Sequence, residues 1–568
     1  MKKKRRLCAL VMTAAMMLTA CAPKEETAGT TETAAAEETT TDAADGAAEK
    51  EIDQAGETTA AKTASGEKEI VLGTPYTIDT FVPWEFTSDG DRYVISNIYE
   101  CLFECDADQV IPVLAESYTN PDDCTWDIKI REDAYWQTGN DLFGNEKVQI
   151  TAEDIKFVMD WTLDPANGSK QQTNLANLIT SCEVLDDFTI RFTTADPQAL
   201  FIFTLSRIMI FPKKAIEEGF DLNAQPVGSG PFKFVSYQTD DQIVLEKNPD
   251  YYITPNLDRV VFKIIPDKAV SAIALQNGEI DVTMQVLSTD IDAIASQEDL
   301  MLVPNTLGWY RYAGFNCSDP LFTDPEIRKA LSMAVDMDGA VAAIFKNASN
   351  TKLAVRAYGP IPLEIPGADE AAWKEKAVTY NPEEAKKIIE SRGWTLGADG
   401  IYEKDGKKFS FVMKTPNNDN NRVKLGTIIS TQLKQIGIDC VAQPIEWATL
   451  LADIKAGDTQ MFVMGGGSSL NGMEILFHTT LGSSGSHRTF YDNPECDALI
   501  EQAAITIDPE KRADLLTEAS LMTIDDAVHM FGYFEYVQIG MKKSVVDFDK
   551  APTLWYSLCN SYRNVDVQ

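Results

Sequence analysis

From Glu69 onward the chain alternates short apolar runs with helix-periodic ones, and nothing else constrains its fold as much. Residues 69–73, Glu-Ile-Val-Leu-Gly, read as a strand. Residues 126–131 alternate apolar and polar side chains with the period of two that a half-buried strand requires. Thr151-Ala152-Glu153-Asp154 forms a capping box ahead of the apolar-periodic run 155–161. Strand-like runs follow at 183–185, 189–193, 260–265 and 279–282, with an apolar helix over 269–277 ending at Gly278. Residues 93–102 are also helical in pattern. Strands alternating with helices predict α/β layers. With 568 residues, 44% of them apolar, the chain can build a substantial core and more than one lobe.

The start of the chain has a different character. Lys2, Lys3, Lys4, Arg5 and Arg6 precede an apolar run over 7–20, the layout of an export signal too short to span a bilayer comfortably. Its ending, Leu18-Thr19-Ala20-Cys21, resembles the bacterial lipobox, in which the cysteine thiol is lipidated and becomes the first residue after cleavage. Residues 1–21 are therefore expected to be a lipoprotein signal and Cys21 a membrane anchor. Residues 22–68 are Thr, Ala, Glu, Asp and Gly with almost no apolar bulk, and predict a disordered acidic linker.

The formal charge of -37 excludes a nucleic-acid partner, whose phosphates call for a basic surface, and also excludes docking on anionic lipid. Residues 199–211, the most apolar later stretch, are short and contain Ser206 and Arg207, so they read as buried core. No Cys-x-x-Cys pair occurs, which removes a zinc ribbon. Cys101, Cys105 and Cys124 are near enough in sequence for a local bridge after export, and buried free thiols fit the same spacing. Gly228-Ser229-Gly230-Pro231 lacks the Gly-Lys-Ser/Thr ending and the following helix of a phosphate loop.

An ordered series of motifs runs through the folded part. It begins Asn97-x-Tyr99-Glu100, Pro112-x-Leu114-Ala115, Trp126-x-x-Lys129-x-Arg131, Thr151-Ala152-Glu153-Asp154, Gly228-Ser229-Gly230-Pro231 and Gly278-Glu279-Ile280-Asp281. It continues with Tyr312-Ala313-Gly314-Phe315-Asn316, Ile327-Arg328-x-Ala330-Leu331, Tyr380-Asn381-Pro382, Ile436-Gly437-Ile438 and Tyr491-Asp492-Asn493-Pro494. In order and spacing this series resembles the extracellular solute-binding protein family 5, the peptide/nickel-type binding proteins of ABC importers. The resemblance implies a two-lobed periplasmic-binding-protein-like α/β fold (type II, class C), with an extra subdomain in lobe one. Projected here, lobe one takes residues 69–99, 225–307 and 536–568, the subdomain 100–224, and lobe two 308–535. It also implies an extracytoplasmic monomer with no cofactor, which passes a small solute, an oligopeptide in most relatives, to ABC permease subunits.

A closing cleft needs aromatic walls and a few aimed polar groups. From lobe one the candidates are Phe81, Trp84 and Phe86, in the loop after the first strand. From lobe two they are Trp309 and Tyr310 near the projected hinge, Trp447, and the amide-rich loop with Asn417 and Asn418. The most specific candidate is Gly465-Gly466-Gly467-Ser468-Ser469. Peptide-binding relatives usually carry there a Trp-x-x-Asp-Tyr-type segment whose aspartate pairs with the peptide α-ammonium, and this chain has glycine and serine instead. That departure makes a neutral, hydroxyl-rich or anionic ligand, an oligosaccharide included, fit at least as well as a free-amino peptide. Asp89, Asp91 and Glu474 remain as carboxylates an amine could find.

Other classes have thinner support. A secreted serine hydrolase would have to use Ser484 or a neighbour with His487, yet no Gly-x-Ser-x-Gly elbow is present. An adhesin or signalling receptor on the same fold is the third reading. His478 and His487, nine apart in a loop, have no metal-ligand spacing, so no metal is expected.

Overall fold

A computed structural model describes residues 66–106, 109–466, 470–480, 488–548 and 561–568, without the side chains of 106, 173–174 and 306–309. The expected signal, Cys21 and nearly all of the expected linker lie outside the described residues. The linker's last residue does not: the Lys68 ammonium pairs with Asp566 at 2.6 Å, so ordered contacts begin one residue before the first strand.

One eleven-stranded mixed sheet organises the described chain. Its strands are β1 (Glu69–Thr74), β2 (Phe232–Gln238), β3 (Gln242–Lys247), β4 (Arg259–Ile264), β5 (Val282–Val286) and β6 (Leu300–Phe315). They continue as β7 (Ala354–Arg356), β8 (Ser410–Pro416), β9 (Asp439–Ile445), β10 (Met461–Gly466) and β11 (His529–Lys542). Across the sheet the order is β9-β8-β10-β6-β11-β5-β1-β4-β3-β2, with β7 beside β11. The helices used below are α1 (Lys268–Gln276), α2 (Ile291–Ala295), α3 (Asn420–Gln435), α4 (Trp447–Ala456) and α5 (Pro494–Ile505).

Only β6 and β11 run through both halves of this sheet. Leu300–Thr306 pairs with Tyr536–Lys542 beside β5, whereas Tyr310–Phe315 pairs with Met461–Gly466 of β10. At the changeover the ladder breaks: Thr306 pairs with Tyr536, and the next pair is Trp309 with Glu535. Leu307 and Gly308 thus form a bulge, a place where a strand pair can bend.

Each half has its own core. Ile70, Leu72, Phe262 and Met541 pack with Trp126, Phe192 and Phe201 of the 100–224 segment. That segment carries a four-stranded sheet and the helix Ala152–Leu163. In the other half both sheet faces are covered: Met461 and Val463 meet Leu425 and Ile429, while Phe462 and Met464 meet Leu450 and Phe477. The unbroken apolar run Met461-Phe462-Val463-Met464, whose side chains point alternately to the two faces, is the sequence origin of that double burial.

Several expectations are met and several are corrected. Strands at Thr125–Ile130 and Thr189–Thr194 agree with the sequence reading, and so does the helix after Thr151, whose backbone N–H donates to Asp154 at 2.9 Å. The helix expected over 93–102 instead spans Asp89–Ile95. Tyr99, Cys101 and Leu102 are apolar because neighbours bury them from every side, not because they lie on a helix face. The strand expected at 279–282 begins only at Val282. No disulfide joins Cys101, Cys105 and Cys124 to one another. Among the described residues no helix is long and apolar enough to cross a membrane.

The glycine-rich segment at 228–231 is a packing device. A Cβ on Gly228 would run into the Ile98 carbonyl oxygen, and Gly230 donates its N–H to that same oxygen at 2.8 Å. Two of the motifs noted above are therefore two sides of one backbone contact.

Candidate functional site

In one half the parallel strands β1, β4 and β5 end at Thr74, Ile264 and Val286, and in the other β8, β9 and β10 end at Pro416, Ile445 and Gly466. Ligands of open α/β sheets bind in the crevice outside such carboxyl ends. Helices begin there too. Asp419 caps α3 by accepting the Arg422 N–H at 3.0 Å, and Glu446 caps α4 by accepting from Ala448 and Thr449.

The end of β10 holds a network of charged side chains. Arg311, opposite Gly465 on β6, donates from Nε to Glu535 at 3.3 Å. The Asn421 amide donates to the other Glu535 oxygen at 3.0 Å. Arg422 pairs with Asp419 at 2.7 Å and lies 5.2 Å from the Trp447 ring centre. Burial pushes the Asp419 carboxyl up, but Arg422 and Arg311 outweigh it and hold the group below its ordinary range. Arg488 donates to the Gly465 carbonyl at 3.3 Å, and its Nε is buried without a hydrogen-bond partner. Beside Glu535 a cavity of about 350 Å³ opens where the strand pair changes over, lined from both halves by Lys268, Gln285, Lys346, Asn421 and Lys424.

Gly465 has a definite role in this network. A Cβ there would collide with Arg311 Nη1 and come within 3.0 Å of Arg311 Cδ. The bare backbone leaves room for a guanidinium, where the sequence reading expected room for a ligand. Gly466 is looser, with Leu476 3.1 Å from where a Cβ would be. Gly467, Ser468 and Ser469 lie outside the described residues.

Two expected ligand-contacting aromatics are core residues. Phe81 is 4% exposed and packs edge-on against Phe234 and Tyr237 at 5.2 and 5.4 Å. Tyr310 is fully buried, stacks on Tyr312 at 4.9 Å and shares a hydrogen bond with His529. Trp84 is half-buried, 4.6 Å from both Trp161 and Phe211, and Phe86 packs on the same core. Asn417 and Asn418 are exposed before α3, and Trp447 is half-buried at the start of α4. The Trp309 backbone pairs with Glu535, and its side chain lies outside the described residues.

The spare carboxylates and histidines are largely engaged. Asp91 accepts from the backbone of Asp79, Thr80 and Ser88, and Asp89 pairs with Arg92. Burial pushes the Glu474 carboxyl up against the opposing influence of His478. His478 is buried, faces Glu501 at 3.3 Å and accepts the Thr480 N–H at 3.2 Å. Among the described residues no group of His, Cys, Asp and Glu could hold a metal ion. Ser484 and His487 lie outside the described residues.

The sequence reading missed Arg311, Glu535 and Arg488. Arg311 and Glu535 are 224 residues apart, and only the pairing of β6 with β11 joins them. The signal that could have exposed Arg311 is a charged residue in the apolar run leading to Phe315.

Comparison with known proteins fits this architecture. The model of the bacterial extracellular solute-binding proteins, family 5, middle region, matches residues 109–488. The oligopeptide-binding protein AppA of Bacillus subtilis (strain 168) is 27% identical over 482 residues, 82% of this chain and 86% of AppA. The glutathione-binding protein GsiB of Pectobacterium atrosepticum is 24% identical over 519 residues, 88% of this chain and 95% of GsiB. The solved structure of HbpA2 from Haemophilus parasuis superposes with a TM-score of 0.76 at 20% identity, covering 88% of this chain and all of HbpA2. Such structures are two-lobed, as the divided sheet is here. A match across two-thirds of the chain, on a fold whose only shared strands are β6 and β11, leads to one conclusion: this protein belongs to the bacterial extracellular solute-binding proteins, family 5.

Proposed function

We propose that the chain is the substrate-binding protein of an ABC importer, lipid-anchored through Cys21, which closes two lobes around a peptide-type solute and presents it to a permease. The observation that carries the reading is the broken ladder at 306–309 and 535–536, in the only two strands that join the halves. Bending there changes the width of the crevice while each core stays intact, and a solute touching both walls favours the narrow state by its differential contacts. The break also supports lobe limits of 69–99, 225–307 and 536–568 for lobe one and 308–535 for lobe two, with 100–224 as the added subdomain. The names of the relatives, oligopeptide- and glutathione-binding, support a peptide-type cargo.

Mass spectrometry of the solute that co-purifies from the native host, combined with melting curves before and after its removal, tests the reading. A bound peptide whose removal lowers the melting temperature is expected, since a ligand that binds only the folded state stabilises it. Turnover of an ester or peptide by the protein would refute the transport reading in favour of a hydrolase. A second reading, a hydroxylated non-peptide solute, is favoured by one observation: glycines 465 and 466 stand where relatives usually hold a carboxylate for an ammonium. The anchor has its own test. Cys21→Ala should release the protein to the medium with solute affinity unchanged, and retention on the membrane would contradict it.

A further inference from the structure

The chain carries 87 Asp and Glu against 50 Lys and Arg, yet the crevice wall has the opposite balance. Around the end of β10 three guanidinium groups, Arg311, Arg422 and Arg488, meet two carboxylates, Asp419 and Glu535. The adjoining hinge cavity adds Lys268 from one half and Lys346 and Lys424 from the other, and Glu535 is its only carboxylate among the described residues. The six cations face two carboxylates that are already engaged. Glu535 is shared between Arg311 and Asn421, while Asp419 holds Arg422 and the first turn of α3. Among the described residues none of the three lysines has a carboxylate partner, although Lys214, Lys233, Lys247 and Lys542 elsewhere each have one.

Closure narrows the space between Lys268 on one wall and Lys346 and Lys424 on the other. Like charges brought together in a concave space oppose that motion unless a counter-charge lies between them. We infer that the solute is anionic, with the six cations of this crevice supplying its recognition: an acidic or amino-blocked peptide, rich in carboxylates and poor in ammonium groups. The inference rests on the solute-binding reading above and names the charge class of that same site. Arg311, placed where a residue larger than glycine at 465 would exclude it, is the specificity-determining group at the β10 end. The lysines act at the hinge end.

The test uses the full chain, freed of bound solute, and two matched pairs of probes. One pair is an N-acetyl tetrapeptide with two glutamates and its isostere with two glutamines. The other is an oligogalacturonide and the corresponding neutral galactose oligomer. The acidic tetrapeptide is expected to bind about tenfold more tightly than its isostere, as two partly exposed ion pairs would give. The advantage should shrink as salt rises. It should also shrink in the triple variant Lys268→Gln, Lys346→Gln, Lys424→Gln. These are surface changes that leave both cores intact, and an unchanged melting temperature verifies that. Equal or tighter binding of the neutral member overturns the inference. If only the saccharides bind, the peptide reading falls, and the preferred member of that pair still decides the charge. Binding of neither pair counts against both.

Discussion

A methyl group at position 465 would meet the guanidinium of Arg311, a side chain held in place by Glu535 and almost fully buried. Gly465→Ala should therefore displace Arg311 and destabilise the protein by about 1–3 kcal/mol, the usual range for overpacking, read from urea unfolding. Solute affinity should fall in the same variant. An unperturbed midpoint would mean that Arg311 has another place to go. A second residue gives a pH signature. Glu100 is buried at the junction of the 100–224 segment with the rest, accepting hydroxyl hydrogen bonds from Tyr251 and Tyr252 at 2.8 and 2.7 Å. Burial raises its carboxyl from an ordinary 4.5 to about 7, against the lowering effect of those hydroxyls and of Arg563. The folded state thus keeps a proton that the unfolded chain releases at lower pH. Below pH 4.5 both states are protonated and the group costs nothing. As pH rises through 4.5 to 7 stability is lost, by about 3 kcal/mol at most. Glu100→Gln should remove that slope, so the variant gains on the native protein between pH 4.5 and 7 and keeps that advantage unchanged above. Parallel stability curves for the two proteins would refute the assignment.

At the scale of elements, the bulge of Leu307 and Gly308 is the feature on which the proposed closure depends. Deleting both residues would leave Thr306 and Trp309 adjacent, opposite the adjacent Tyr536 and Glu535, with every outer pair in register. The shortened strand should close this break while the offset at Gly532 stays in place, fold normally, and lose solute-dependent changes in shape. Retained closure would move the hinge elsewhere. This element also shows where sequence reasoning stops. Strands such as Thr125–Ile130 were legible because alternation is a local property, and the capping box at Thr151 because caps act over three residues. The family resemblance placed the hinge near Trp309, but no local pattern marks a bulge between strands more than 200 residues apart. For the same reason Phe81 and Tyr310 read as cleft aromatics. Each sits next to a turn or hinge in sequence, and only the tertiary packing of Phe234, Tyr237, Tyr312 and His529 around them makes them core. The glycines at 465 and 466 were legible as unusual. Their purpose was not, because Arg311 reaches Gly465 across a strand pair.

For the whole molecule, further contacts among the described residues join the halves. The Ala199 N–H donates to the Ala504 carbonyl, in α5, at 3.0 Å, and Leu200 and Phe203 pack on the core that contains Phe462 and Tyr491. Near the hinge Asp292, in α2, accepts the backbone N–H groups of Ala348 and Ser349 at 3.1 and 2.7 Å. On the proposed reading such contacts favour the closed arrangement, and a solute touching both halves adds to them. Replacing Asp292 with Ala should weaken apparent affinity by lowering the closed population, with the solute's own contacts intact, and calorimetry at matched pH reads that difference. The most direct measurement of the central claim is small-angle X-ray scattering of the full chain, emptied and then saturated with its co-purified solute. A smaller radius of gyration at constant mass is expected on saturation. An unchanged radius with the site filled would contradict closure about β6 and β11.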